Sequence, residues 1–177
     1  MAILVLPLGP VEKEVVKGLI RDLGGIFRRE FAEGDALAEP GYAVNRERGQ
    51  FNSSAILHDL TERPELMGFE RVLGVVDRDL FTSGLNFVFG EAGTKAAVIA
   101  LARLKEGFYG RPEDKMLLRK RALVEAVHEL GHTYELGHCA DERCVMFFSK
   151  TLSDTDRKGH RFRGGCLFKV MELGILK

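Results

Sequence analysis

Three histidines and two glutamates crowd into "HELGHTYELGHC", which runs from His128 to Cys139. Residues four apart on a helix are separated by about 40° around the axis and about 6 Å along it, so the imidazoles of His128 and His132 can converge on one ion. Zinc suits such a pair best, because it takes neutral imidazole in tetrahedral sites without requiring redox chemistry. Glu129 follows the first histidine directly and points to the side of the ion, where a base that activates water must stand. His138 becomes a third donor only if the chain doubles back, since an unbroken helix would carry it roughly 15 Å along the axis from His128. Two residues bear on that turn: Glu135, and Gly137, which adopts positive φ at little cost.

The elements that must position these groups are legible as hydrophobic patterns. "AILVLP" near the start is a short apolar run closed by Gly9-Pro10, and "VEKEVVKGLIRDLGG" places Val15, Leu19 and Leu23 at helical spacing. "IFRREFAE" and "YAVNRE" form a weaker second strand region, "NSSAILHDLTER" reads as a helix with a serine N-cap, and "RVLGVVDRDLF" reads as a strand. "LNFVFGEAGTKAAVIALARL" predicts two strands joined by a turn over Gly90 to Gly93. After residue 105 the pattern turns helical, with Pro112 placed as a first helical residue. On that helix Leu123, Ala126, Val127, Leu130 and Tyr134 share one arc that packs on the sheet, which leaves His128 and His132 facing solvent or a cleft. Arg121 and Glu125 lie on the same side as the histidines, where an i,i+4 pair on a solvated surface accounts for them. His58, in "LHDL", is an ordinary helix histidine.

Alternating strands and helices argue for an α/β fold: a mixed, mainly parallel twisted sheet with an antiparallel edge strand. To it are added the long histidine-bearing helix and a small cysteine-bearing C-terminal subdomain. The expected boundary divides residues 1–138 from 139–177.

Composition narrows the setting. Lys plus Arg and Asp plus Glu are both 26 of 177 residues, so no global field selects nucleic acid or an anionic membrane. The N-terminal apolar run lacks a basic flank and a cleavage site, and no run approaches membrane-spanning length, which points to a cytoplasmic protein acting as a monomer. Three cysteines make an odd set for disulfides; Cys139, Cys144 and Cys166 are metal ligands or plain buried thiols. With three Asn and one Gln, the chain also has the amide-poor bias of proteins built for heat.

The HExxH motif, the distal histidine six residues later, the "C-x4-C-V-M" that follows and "LNFVFGEA" upstream together resemble the archaemetzincins, a branch of the metzincin-type zinc peptidases. The resemblance implies a catalytic zinc on His128, His132 and His138, with Glu129 as general base and Met146 as the Met-turn floor beneath the metal. It also implies hydrolysis of peptide bonds in peptide or protein substrates, of an aminopeptidase kind. Activity should then fall in acid as the imidazoles protonate.

Two departures stand out. The family has glycine where this chain has Glu135, and holding a non-glycine residue in the left-handed region costs about 1–2 kcal/mol; Gly137 is the other candidate for the turn. The family also carries a later C-x-x-C pair that completes a four-cysteine structural zinc site. Here only Cys166 of that pair is present and Arg163 stands in place of the other, which leaves His160, water or a carboxylate of "SDTD" as fourth donor. The rival reading is a zinc-binding protein of the same fold, weakened at Glu135, that recognises peptides without cleaving them.

Overall fold

The computed structural model describes residues 1–177. In chain order the elements are β1 (Ile3–Leu8), α1 (Lys13–Ile26), β2 (Phe31–Glu33), β3 (Val44–Asn45), β4 (Gln50–Asn52) and α2 (Ser53–Glu62). They continue with β5 (Arg71–Val76), β6 (Leu80–Phe81), β7 (Gly90–Ala92), β8 (Ala96–Ala100), α3 (Lys115–Thr133), α4 (Leu152–Lys158) and α5 (Gly164–Glu172).

Five strands form the main sheet in the order β2-β1-β5-β8-β7. All neighbours are parallel except β7 and β8, which pair antiparallel with Gly90 opposite Ile99 and Ala92 opposite Ala97. The expected α/β class with one antiparallel edge is therefore the observed one. Strand side chains alternate between faces, and the two cores divide by that parity. Ile3, Val5, Leu73, Val75, Ala97 and Ile99 face α1 and α3, where Leu19, Leu23, Val127 and Leu130 cover them. Leu4, Leu6, Val72, Val76, Ala96 and Val98 face α2, against Ile56 and Leu60. Strands buried on both sides in this way are read in sequence as continuous apolar runs rather than alternating ones.

Residues from Cys139 onward do not form a core of their own. Cys144, Val145, Met146, Phe162, Val170 and Ile175 pack into the same cluster as α1, α3 and the sheet. No helix is long and apolar enough to cross a membrane.

Four local expectations are corrected. The N-cap of α2 is Asn52, not a serine: its Oδ1 accepts the amide of Ala55 at 2.9 Å. Helix α3 begins at Lys115 with Asp114 as N-cap, whose carboxylate accepts the Leu117 amide, so Pro112 lies outside the helix. A capping side chain satisfies an otherwise orphaned amide, which proline at a nearby position cannot do. The segment Leu85–Phe89 is not a strand; Val88 makes a single bridge to Leu80, and the edge strand starts at Gly90 itself. "RVLGVVDRDLF" splits into β5 and β6, and the latter joins β3 and β4 in a separate three-stranded sheet.

Candidate active site

Helix α3 runs across the sheet and buries more than one stripe. Ala126, Val127, Leu130 and Tyr134 enter the core on the expected arc. The opposite side is covered as well, by α4 and the segment around Val145, so His128 and Glu129 are only 4% and 5% exposed. The histidines thus face a cleft rather than open solvent.

The helix ends in a Schellman turn. Leu136 N–H donates to Gly131 O at 3.2 Å and Glu135 N–H to His132 O at 2.9 Å, with Glu135 at φ 62°. Glu135 is the sole non-glycine residue with positive φ, so it takes the left-handed position itself and Gly137 does not. This turn brings His138 back beside the helix. Replacing Glu135 by glycine should remove the ~1–2 kcal/mol conformational cost and return ~0.4–1 kcal/mol through a more flexible unfolded chain. The expected net gain is about 0.5–1 kcal/mol in urea unfolding, with metal affinity unchanged; a destabilised Glu135→Gly protein would contradict that account of the turn.

The three imidazoles converge. Their ring centroids are 4.7 Å (His128–His132), 5.5 Å (His128–His138) and 4.8 Å (His132–His138) apart. One nitrogen from each lies within 4.8 Å of the others, and Nε2 of His128 is 3.1 Å from Nε2 of His132. The remaining nitrogens fix the tautomers. Nδ1 of His128 lies 2.6 Å from Val145 O, and Nδ1 of His132 lies 2.7 Å from Leu136 O. A carbonyl only accepts, so each Nδ1 carries the proton and each Nε2 presents a lone pair. Two lone pairs facing each other at that separation repel unless a cation lies between them. The donor set therefore fits a metal ion, and burial reinforces it. Burial, and the nearby Lys158 ammonium, push the His128 pKa well below its usual range, and burial lowers those of His132 and His138 as well, so the rings stay neutral.

Glu129 stands between α3 and the edge strand. A methyl group on Gly90 would come within 2.6 Å of its Cγ and Oε1, so the edge strand can approach the carboxylate only because Gly90 lacks a side chain. Burial, with Glu125 and Glu91 nearby, raises the Glu129 pKa well above the ordinary carboxylate range despite Lys158. Beneath the helix, Met146 is fully buried, and a Cβ on Gly131 would meet its Sδ at 2.5 Å. Gly131 thus admits the thioether between the turns that carry His128 and His132. Gly131 was not singled out by spacing, and Gly90 only as one end of a turn, because the neighbour that each admits is remote in sequence.

A second group of donors forms behind the turn. The sulfurs of Cys139, Cys144 and Cys166 lie within 4.8 Å of one another. Cys139 N–H donates to Met146 O at 2.9 Å, so one backbone bond fastens both the cysteine loop and the methionine. His160 does not join them: burial and the charges of Arg161, Asp22 and Lys120 set its environment. The "SDTD" carboxylates are engaged elsewhere, Asp154 in the capping box of α4 and Asp156 with Arg121.

Arg121 and Glu125 are not a solvated pair. They are 4% and 2% exposed and bond to different partners: Arg121 to Asp156 and Glu106, Glu125 to Thr155 (2.7 Å) and Lys158 (3.3 Å). Lys158, whose side chain is fully buried, also donates to Phe147 O at 3.2 Å and lies 3.3 Å from Nδ1 of His128. The short, charge-dense sequence of α4 offers no sign that one of its lysines is internal.

The family model for peptidase family M54 matches residues 36–172. The chain belongs to that family. An archaemetzincin of Methanocaldococcus jannaschii is 43% identical over 178 residues, covering 99% of this chain and 96% of that one. The archaemetzincin of Pyrococcus abyssi is 39% identical over 95% of this chain and 93% of its own. Among solved structures, archaemetzincin from Archaeoglobus fulgidus in complex with malonate superposes with a TM-score of 0.83 at 36% identity, covering 96% of this chain and 99% of that one. That from Methanopyrus kandleri gives 0.83 at 32% identity, covering 97% and 94%. As a member of the M54 peptidases this protein is a zinc metallopeptidase, and the sheet, the long helix and the cysteine cluster belong to the archaemetzincin fold.

Proposed function

We propose that His128, His132 and His138 hold the catalytic zinc and that Glu129 is the general base for hydrolysis of peptide bonds, with an aminopeptidase-like preference for substrates with a free amino end. The observation that carries this reading is the pair of Nε2 lone pairs 3.1 Å apart, each fixed by a carbonyl on the opposite side of its ring, next to a buried carboxylate. When bound, zinc would polarise the scissile carbonyl and make water acidic enough to ionise near neutrality.

The remaining steps belong to the chain. The Val145 and Leu136 carbonyls hold the imidazoles in the tautomer and orientation a ligand needs. Met146, packed under Gly131, serves as an apolar floor that keeps the helix turn between the two ligands from shifting. Glu129 takes a proton from the attacking water on a carboxylate oxygen and returns it to the leaving nitrogen. Beside His128 a cleft of about 30 Å³, bordered by Phe89, Gly90 and Phe148, has room for a molecule the size of water.

Treatment with a strong chelator should abolish cleavage of a peptide library, and added zinc should restore it. Full activity after verified metal removal overturns the zinc assignment. The amino-end preference is checked with the same peptides after N-acetylation: they should resist cleavage, and equal rates would make the enzyme an endopeptidase.

A further inference from the structure

One buried side-chain hydroxyl is left without a partner. Ser149 Oγ is sealed from solvent yet meets no hydrogen-bonding group of the protein. An unpaired hydroxyl in the interior costs folding free energy, so its presence calls for a reason. The chain that carries it is not loose. On one side the Phe147 carbonyl accepts from Lys158 Nζ at 3.2 Å, and on the other the Lys150 amide donates to Asp154 Oδ2 at 3.1 Å. Ser149 is therefore presented from a fixed stretch of backbone.

Ser149 borders the narrow cleft of about 30 Å³ beside His128. Two residues of that cleft also belong to the reacting centre: His128 is one of the converging imidazoles, and Gly90 is the point where the edge strand closes on Glu129. Phe87, Val88, Phe89 and Phe148 make the rest of the wall largely apolar. Its other polar side chains are committed. Glu125 accepts from Thr155 Oγ1 at 2.7 Å and from Lys158 Nζ, while His128 directs Nδ1 to Val145 O at 2.6 Å and Nε2 to the other imidazoles. The Ser149 hydroxyl is thus the one polar side-chain group of the cleft still free to bond. A water needs about 10–15 Å³ of such space, so the cleft admits about two heavy atoms and no long side chain.

We propose that this cleft receives the side chain of a substrate residue adjoining the scissile bond, and that Ser149 selects a small side chain carrying a hydroxyl, serine above all. The substrate hydroxyl and that of Ser149 then share a hydrogen bond, which supplies the partner that the free protein lacks. An apolar pocket alone separates a hydroxyl from a methyl of equal size only weakly, whereas a placed hydrogen-bonding group does so well. This inference rests on the peptidase reading and adds a substrate class to it.

The test uses the full-length zinc-loaded enzyme and peptides that differ at one residue, placed in turn on either side of the cleaved bond: serine, its isostere 2-aminobutyrate, and leucine. Mass spectrometry locates each cut. At one of the two positions serine should exceed 2-aminobutyrate by about three- to tenfold in kcat/KM, the scale of one neutral hydrogen bond, and leucine should be slowest. In Ser149→Ala the ratio of serine to 2-aminobutyrate should fall to about one. The uncleaved serine peptide should also bind Glu129→Gln more tightly than the 2-aminobutyrate peptide by a similar factor, a readout that needs no turnover. Ser149→Ala should melt at or above the wild-type temperature, because it deletes an unpaired buried hydroxyl. Wild-type cleavage without a preference for serine overturns the inference and leaves the peptidase reading standing. A Ser149→Ala protein that melts lower and keeps the preference overturns it as well, since the hydroxyl is then structural. Cleavage of no peptide at all overturns both.

Discussion

Glu129→Gln should keep the wild-type zinc content and lose peptide hydrolysis by about 100- to 10,000-fold in kcat/KM, the range in which a positioned acid–base group contributes. The substitution is nearly isosteric, and the position tolerates little else, because Gly90 of the edge strand already leaves no room beyond the carboxylate. Glutamine cannot accept and return a proton, but it leaves the imidazoles and their carbonyl partners untouched. Metal content by atomic absorption and turnover on a peptide library separate the two effects. Wild-type turnover in Glu129→Gln would remove the carboxylate from the chemistry, and loss of zinc would make it a ligand instead of a base.

The second large effect is on stability. Lys158 carries a fully buried ammonium held by Glu125, whose own side chain is 3% exposed, and by the carbonyl of Phe147. Removing one member of a buried pair strands the other charge and typically costs about 3–5 kcal/mol. Lys158→Met should therefore lower the urea-unfolding free energy by about that amount and the Tm by roughly 6–20 °C, taking about 2–4 °C per kcal/mol for a chain of this size. Lys158→Met combined with Glu125→Gln should regain part of the loss, since no charge is then left unpaired. The exposed pair Arg157–Glu142, 50% and 60% open to solvent, supplies the contrast: Arg157→Ala should change stability by about 1 kcal/mol or less. Equal effects of Lys158→Met and Arg157→Ala would show that burial does not govern this pair.

The two experiments probe adjacent parts of one device. Glu129 acts at the face of α3 toward the edge strand, while Lys158 and Glu125 tie the same helix to α4 and to the segment that presents Val145 and Met146. Loosening that tie would move the carbonyl that orients His128, so some loss of zinc affinity should accompany the loss of stability in Lys158→Met.

What could be read without coordinates was whatever short-range geometry dictates. The i,i+4 spacing of His128 and His132 compels convergence on any helix, and the apolar runs of β1, β5 and β8 compel a sheet buried on both faces. The arc from Leu123 to Tyr134 told which side of α3 meets that sheet. Other features depended on partners distant in the chain. Glu135 or Gly137 could each have made the turn; the two Schellman bonds and the docking of Lys169 on the Glu135 carbonyl select Glu135, despite its steric penalty. Arg121, Glu125 and Lys158 have the composition of a solvated surface, and only the docking of α4 turns them into an interior network. His160 sits closer in sequence to Cys166 than Cys139 does, yet Cys139 joins the cluster and His160 does not. Periodicity reports what a segment does with its own neighbours; which surfaces finally close over it, and which polar groups are sealed in, is decided by packing among elements that are remote in sequence.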